Sequence, residues 1–329
     1  MSADESILDL VQLAHVELLT PDLDGSVDFF SRLMGMSISE RRAGSVYLRG
    51  YEDPYHHSLK LTAAGAAGLG HIGFRVRSPQ ALERRVRAIE ATGYGRGWID
   101  GDAGHGRAYQ FDTPAGHRWE LIWDVDYHRA ADADRSAMKN RPSRRPDHGI
   151  PTRRIDHFNL TAPDVAATRD FLRDTLGFME REAVVADDNP EITIASWLSV
   201  TNLSHDLALV PEGGRAGRLH HVCFYNGTNE SLFDFADLCR ENGIRIEHGP
   251  GRHAIGKTTF LYAMEPGGNR IEVVGDPGAL IFDPTHSTVK WKASELGIAA
   301  VWTGSEFPPS FWQYATPDEA LTHLDAAVA

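Results

Sequence analysis

The chain has 329 residues, 42% of them hydrophobic and 24% charged, which is enough to bury a substantial core and fits two domains better than one. A net charge of −13 with no dense Lys/Arg stripe argues against nucleic acid and anionic membrane as partners and leaves small molecules. Two cysteines, Cys223 and Cys239, exclude a disulfide framework. The opening MSADESILDLVQLAH has no secretory pattern and no run of about 18 apolar residues occurs, so the cytoplasm is the expected compartment.

In chain order, the first predicted strand is AHVEL, residues 14–18, with His on one face and apolar residues on the other. The helix PDLDGSVDFFSRLMGM comes next, with Asp22 as its start signal and Gly35 as its stop, and then the strands SVYLRG and HSLKLT. A second unit opens with GHIGF, residues 70–74. It continues through SPQALERRVRAIEATGYG, between Ser78 and Gly93, to RAYQFD and HRWELIWDV. Residues 124–154 are charged, proline-bearing and poor in apolar side chains, the composition of a linker. A third unit runs from DHFNL, residues 156–160, through a helix between Asp164 and Gly177 to ITIASWLSV and HDLALV. The fourth runs from HHVCF, residues 220–224, through a helix between Asn229 and Gly243 to TTFLYAMEP and NRIEVVG. The segment after Gly275 fits no fifth unit, and its KWKASELGIAAVW and PPSFWQYA stretches are expected to cover a cavity mouth.

The same unit, strand, helix and about three strands, thus occurs four times. A βαβββ unit has one apolar sheet face that needs a neighbour, so the fold class is α+β with two domains, each a pair of units. The expected division is an N-terminal pair over 1–124 without a catalytic metal, a linker over 125–152, a C-terminal pair with the metal site over 153–275, and an extension over 276–329 that could act as a lid.

The stretch RLHHVCF sets His220 beside His221, and alternation along a strand predicts that they face opposite ways. Alignment of the four units puts His221 in the slot of His15, His71 and His157. His157, His221 and Glu272 would then lie on three strands of one sheet, and two imidazoles with one carboxylate suit a non-haem Fe(II) with open positions. The spacings alone leave core or surface histidines as the alternative.

The block GPGRHAIGKTTFLYAMEPGGNRIEV, residues 249–273, carries the resemblance. With its GRH, LY, P and RIE run, the sequence over about residues 10–275 resembles the type I extradiol catecholic dioxygenases of the vicinal-oxygen-chelate superfamily, in particular the catechol, homoprotocatechuate and 2,3-dihydroxybiphenyl group. The resemblance implies that His157, His221 and Glu272 bind Fe(II), with Mn(II) as the alternative. It makes His205 the acid/base residue, puts His253 and Tyr262 on the substrate oxygens, and lines the substrate pocket with Asn159, Trp197 and His248. It further implies a catecholic small molecule and O2 as partners, and a homo-oligomer with a tetramer favoured.

The first half offers His15, His71 and Glu120 in corresponding slots, with His57 where the second half has His205. Gln110 stands where Tyr262 does and no GRH block precedes it, so the resemblance implies a duplicated scaffold without activity. Relatives that cleave carboxylated catechols use a C-terminal arginine. None occurs beyond Arg270 here, which leaves Lys290 and Lys292 and favours catechol, an alkylcatechol or a dihydroxybiphenyl-like substrate. A homoprotocatechuate-type substrate, a glyoxalase-type isomerase or lyase, and a non-catalytic binding protein are the alternatives.

Overall fold

A computed structural model describes residues 8–213 and 216–318. The strands are β1 (Leu10–Thr20), β2 (Ser37–Arg42), β3 (Ser45–Arg49), β4 (Leu59–Ala63), β5 (Gly68–Val76), β6 (Gly95–Ile99), β7 (Ala108–Asp112) and β8 (Arg118–Ile122) in the first half. In the second half they are β9 (Arg154–Ala162), β10 (Met179–Val185), β11 (Thr193–Ser199), β12 (Leu207–Pro211), β13 (Leu219–Tyr225), β14 (Ile246–Arg252), β15 (Thr259–Met264), β16 (Arg270–Val274) and β17 (Val289–Lys292). Helices α1 (Leu23–Asp28), α2 (Pro79–Thr92), α3 (Val165–Phe171) and α4 (Glu230–Glu241) come after the first strand of each unit. The last strand, β17, and the short helices α5 (Leu296–Ala300) and α6 (Pro309–Gln313) belong to the C-terminal extension, whose residues 319–329 lie outside the described residues. Among the described residues no helix is long and apolar enough to cross a membrane.

Each half is one mixed sheet, ordered β2-β3-β4-β1-β5-β8-β7-β6 and β14-β15-β16-β13-β9-β12-β11-β10-β17. In all four units the first strand pairs parallel with the last, β1 with β4, β5 with β8, β9 with β12 and β13 with β16. The intervening helix provides the crossover that parallel neighbours need. The two units of a half join through their first strands, which run antiparallel.

The predicted helix signals act as read at three of the four starts and all four ends. Asp22, Ser78 and Asp164 accept hydrogen bonds from the amides of Gly25, Ala81 and Ala167. Gly35, Gly93, Gly177 and Gly243 turn left-handed, at φ between +62° and +83°. Asn229 does not cap with its side chain, because its Oδ1 accepts instead from Thr259 Oγ1 at 2.6 Å. Its neighbour Thr228 takes the Ser231 amide.

The helices and the apolar sheet faces of both halves share one core. Phe74 stacks on Trp119 at 5.2 Å, and Trp119 meets Phe158 and Phe178 of the second half at 5.6 and 6.0 Å. Phe29 also reaches Phe235. With those faces joined, the opposite face of each sheet carries the histidines. The segment between β8 and β9 holds a single short 3-10 turn, Asp132–Asp134, yet buries Ser143 and Ile150 against the halves it joins.

Candidate active site

His157 stands on β9, His221 on β13 and Glu272 on β16, adjacent strands near the middle of the second sheet. Glu272 Oε2 lies 3.0 Å from His157 Nε2 and 3.1 Å from His221 Nε2. All three side chains are buried. Metal–ligand bonds of about 2.0–2.2 Å place neighbouring ligands about 3 Å apart, so the donors have the spacing of a coordination shell. Among the described residues His221 Nε2 and Glu272 Oε1 have no hydrogen-bond partner, so a divalent ion fits the atoms present. Asp156 with His157 and Cys223 forms a further group of potential ligand atoms, overlapping this one at His157.

Two β-bulges aim these groups. Between Leu219 and His221, β13 advances two residues while β9 advances one, from Leu160 to Asn159. The extra residue is His220, and alternation fails there. Both imidazoles therefore line the same cavity, contrary to the opposed faces that the strand pattern predicts. Between Val222 and Phe224 the surplus residue lies on β9 instead, which brings Asp156 round to His157.

The bulges also set the tautomers. His220 Nε2 donates to the Phe311 carbonyl at 2.9 Å, so its Nδ1 can accept from His221 Nδ1 at 2.7 Å. His157 Nδ1 donates to Asp156 Oδ1 at 3.0 Å, and Asp156 is itself held by Arg154 at 2.7 Å. With Nδ1 so engaged, His221 Nε2 carries its lone pair toward Glu272, whereas His157 Nε2 donates to Glu272 Oε2 and would present its lone pair once that proton is released. Burial opposes ionisation of Glu272, but the imidazoles of His157, His221 and His253 around it outweigh burial and hold the carboxyl well below its usual range. Burial lowers His221 to about 4. For His157 burial also pulls down, but Asp156 and Glu272 outweigh it and raise the imidazole to about 9.

The ligand atoms lie in a cavity of about 450 Å³, the size of a small-molecule site. His205 lines it with its ring 4.2 Å from that of His157, and burial followed by the charge of His157 keeps it neutral. His253 donates from Nδ1 to the Ala300 carbonyl of α5 and accepts at Nε2 from Tyr262 Oη at 3.1 Å, while its ring stacks on Phe260. Burial, with the Glu272 charge, pushes the Tyr262 phenol well above its usual value, so it remains a donor. Asn159 and Trp197 are in the wall, and Asn159 Oδ1 has no partner.

His248 is not in the wall. Its Nε2 donates to the Ser305 carbonyl at 2.8 Å, and its ring packs against Phe307, so it supports the wall from behind. Sequence reasoning missed Asp156, whose signal was its place beside the repeated His. It also missed Ile255 and Phe307 of the apolar wall, whereas Leu296 and Phe311 fall in the two stretches expected over a cavity mouth.

The Glyoxalase/Bleomycin resistance protein/Dioxygenase superfamily model matches residues 12–121 and 154–273, the two sheets. The chain is 47% identical to metapyrocatechase of Geobacillus stearothermophilus over 95% of each chain. It is 35% identical to the manganese-dependent 2,3-dihydroxybiphenyl 1,2-dioxygenase of Geobacillus genomosp. 3, over 92% of this chain and 96% of that one. The anaerobic 3,4-dihydroxyphenylacetate complex of homoprotocatechuate 2,3-dioxygenase from Brevibacterium fuscum superposes with a TM-score of 0.82 at 29% identity, over 93% of this chain and 92% of that one. By sequence, by fold and by the two-histidine, one-carboxylate centre, the chain belongs to the Glyoxalase/Bleomycin resistance protein/Dioxygenase superfamily and groups within it with the extradiol ring-cleavage dioxygenases.

Proposed function

We propose that the protein is an extradiol dioxygenase that opens the ring of a neutral catechol beside its two hydroxyl-bearing carbons, with both atoms of O2 entering the product. The observation that carries this is the convergence of His157, His221 and Glu272 in a 450 Å³ cavity that also exposes His205, His253 and Tyr262. Metal dependence comes with the family. Fe(II) is the ion proposed, with Mn(II) the alternative favoured by the manganese-dependent relative. Bound by the three side chains, it would lower the pKa of the catechol hydroxyls and bring catecholate and O2 together.

The chain's own groups divide the remaining work. Tyr262 can turn its proton from His253 Nε2 to a substrate oxygen when one is bound, and His253, fixed by the Ala300 carbonyl and stacked on Phe260, holds the phenol in place. His205 has no charge of its own to neutralise, so it can accept a catechol proton and return it to oxygen as the ring opens. Ile255, Phe307 and Phe311 exclude water and receive the aromatic ring. Asn159 Oδ1 is an unused acceptor in the wall.

The charges around the cavity favour a neutral substrate. Arg218, the one guanidinium in the wall among the described residues, is paired with Glu212 at 2.8 Å. Lys290 and Lys292 lie outside the wall, and Lys290 Nζ donates to the Pro190 carbonyl. Steady-state kcat/KM for catechol, 3-methylcatechol and 2,3-dihydroxybiphenyl should exceed that for 3,4-dihydroxyphenylacetate by at least about tenfold, the effect of roughly 1.4 kcal/mol. A preference for the carboxylated substrate would contradict the assignment. A homotetramer is the proposed assembly, to be read by light scattering on the eluting protein.

A further inference from the structure

The first sheet repeats this constellation with a further histidine beside it and without the cavity. His15 on β1, His71 on β5 and Glu120 on β8 occupy the positions of His157, His221 and Glu272. His105, in the loop before β7, reaches Glu120 Oε1 with its Nε2 at 3.3 Å, much as His253 reaches Glu272 at 3.4 Å. Gln110 pairs with Glu120 in the register that Tyr262 holds with Glu272, and its Nε2 donates to Glu120 Oε2 at 3.1 Å.

Glu120 Oε1 is therefore ringed by nitrogen. His15 Nε2 and His105 Nε2 are each 3.3 Å from it and His71 Nε2 is 3.6 Å away, while His15 and His71 are 2.9 Å apart. A tetrahedral ion with bonds of about 2.0–2.1 Å has ligands about 3.3 Å apart, the separation of His15 Nε2 and of His105 Nε2 from Glu120 Oε1, and these three residues form one group of potential ligand atoms. His105 Nδ1 donates to the Gly106 carbonyl at 2.9 Å and His71 Nδ1 to Glu17 Oε2 at 2.7 Å. The first of these is the outer contact that fixes a ligating imidazole with its Nε2 lone pair inward. His105 Nε2 and Glu120 Oε1 then confront each other as acceptors, and Glu120 Oε1 accepts no hydrogen bond. Two facing acceptors in a buried site call for a cation between them.

We propose that His15, His105 and Glu120 bind a second divalent cation of the Zn(II) class, which staples β1, β8 and the loop before β7 and takes no part in ring cleavage. Both sites offer three protein ligands, and what separates this one from the C-terminal centre is the absence of a substrate cavity beside it. The adjoining cavity, lined by His15, His57 and His105, measures about 10 Å³ and admits roughly one water, so no catechol could reach the ion. This inference stands or falls separately from the reading of the C-terminal site.

The test counts bound metal in full-length chains stripped with chelator and titrated with Zn(II). The His221→Ala chain should retain about one tight equivalent, and the His221→Ala/Glu120→Ala chain should lose it. X-ray absorption at the zinc edge of the His221→Ala protein should show imidazole scattering. Should the Glu120 variant fail to fold, His105→Asn in the loop replaces it with the same expectation of weakened binding. No Zn(II) on the His221→Ala chain beyond that on the double variant would overturn the site, because a proton shared between His15 and His71 then suffices. Retention unaltered by both Glu120→Ala and His105→Asn would overturn it as well.

Discussion

His220 and His221 are adjacent, face one cavity and have separate tasks. On the proposed assignment His221 would present Nε2 to the metal, and His220 fixes its tautomer by bridging His221 to the Phe311 carbonyl. Replacing His221 with Ala should abolish metal binding, while His220→Ala should weaken it by about 10–100-fold, both read by competition with a chelator. His205→Ala should keep its metal and lose about 10²–10⁴ in kcat. Proton competition gives the pH dependence. His157, raised to about 9 in the metal-free protein, must release a proton to bind, whereas His221, lowered to about 4, is already neutral. Apparent metal affinity should therefore rise about tenfold per pH unit from 6 to 8 and level off above about 9, as isothermal titration across that range would show. The convergence of His157, His221 and Glu272 could be read from the fourfold repeat and the RIE block. The shared orientation of His220 and His221 could not, because it depends on a register shift against β9 that residue alternation does not encode.

At the scale of elements, helix ends were the most legible feature, because Asp, Ser and Gly act there through their own local chemistry. Ser78 caps the 14-residue helix α2, and Ser78→Ala should cost about 1 kcal/mol in urea unfolding with an unchanged m-value. Asn229 was read by the same rule, but a tertiary hydrogen bond from Thr259 diverted its side chain. Bulges are the larger omission, since an extra residue within a ladder leaves the apolar pattern of the strand nearly intact. The extension shows a related limit. PPSFWQYA was expected over a cavity mouth, and Phe311 does enter the wall, but the link from its carbonyl to His220 lies 91 residues away in sequence.

Across the whole molecule, one βαβββ plan yields two chemically different sheets joined by one core. Trp119 is fully buried where the halves meet, and Trp119→Ala should cost about 3–5 kcal/mol in global stability. The difference between the halves is room. Cavities of about 450 and 10 Å³ adjoin homologous His/Glu clusters, so the second half can admit an aromatic substrate and the first can hold an ion at most. The repeat made both clusters legible, but the cavity volumes arise from the extension and the loops, which no repeat describes. The most direct measurement is oxygen uptake by protein loaded anaerobically with Fe(II) and then given catechol and air. About one O2 consumed per catechol, with a yellow ring-opened product and neither from His221→Ala, is the result expected of the C-terminal centre. Absence of uptake, or uptake undiminished in His221→Ala, would contradict it.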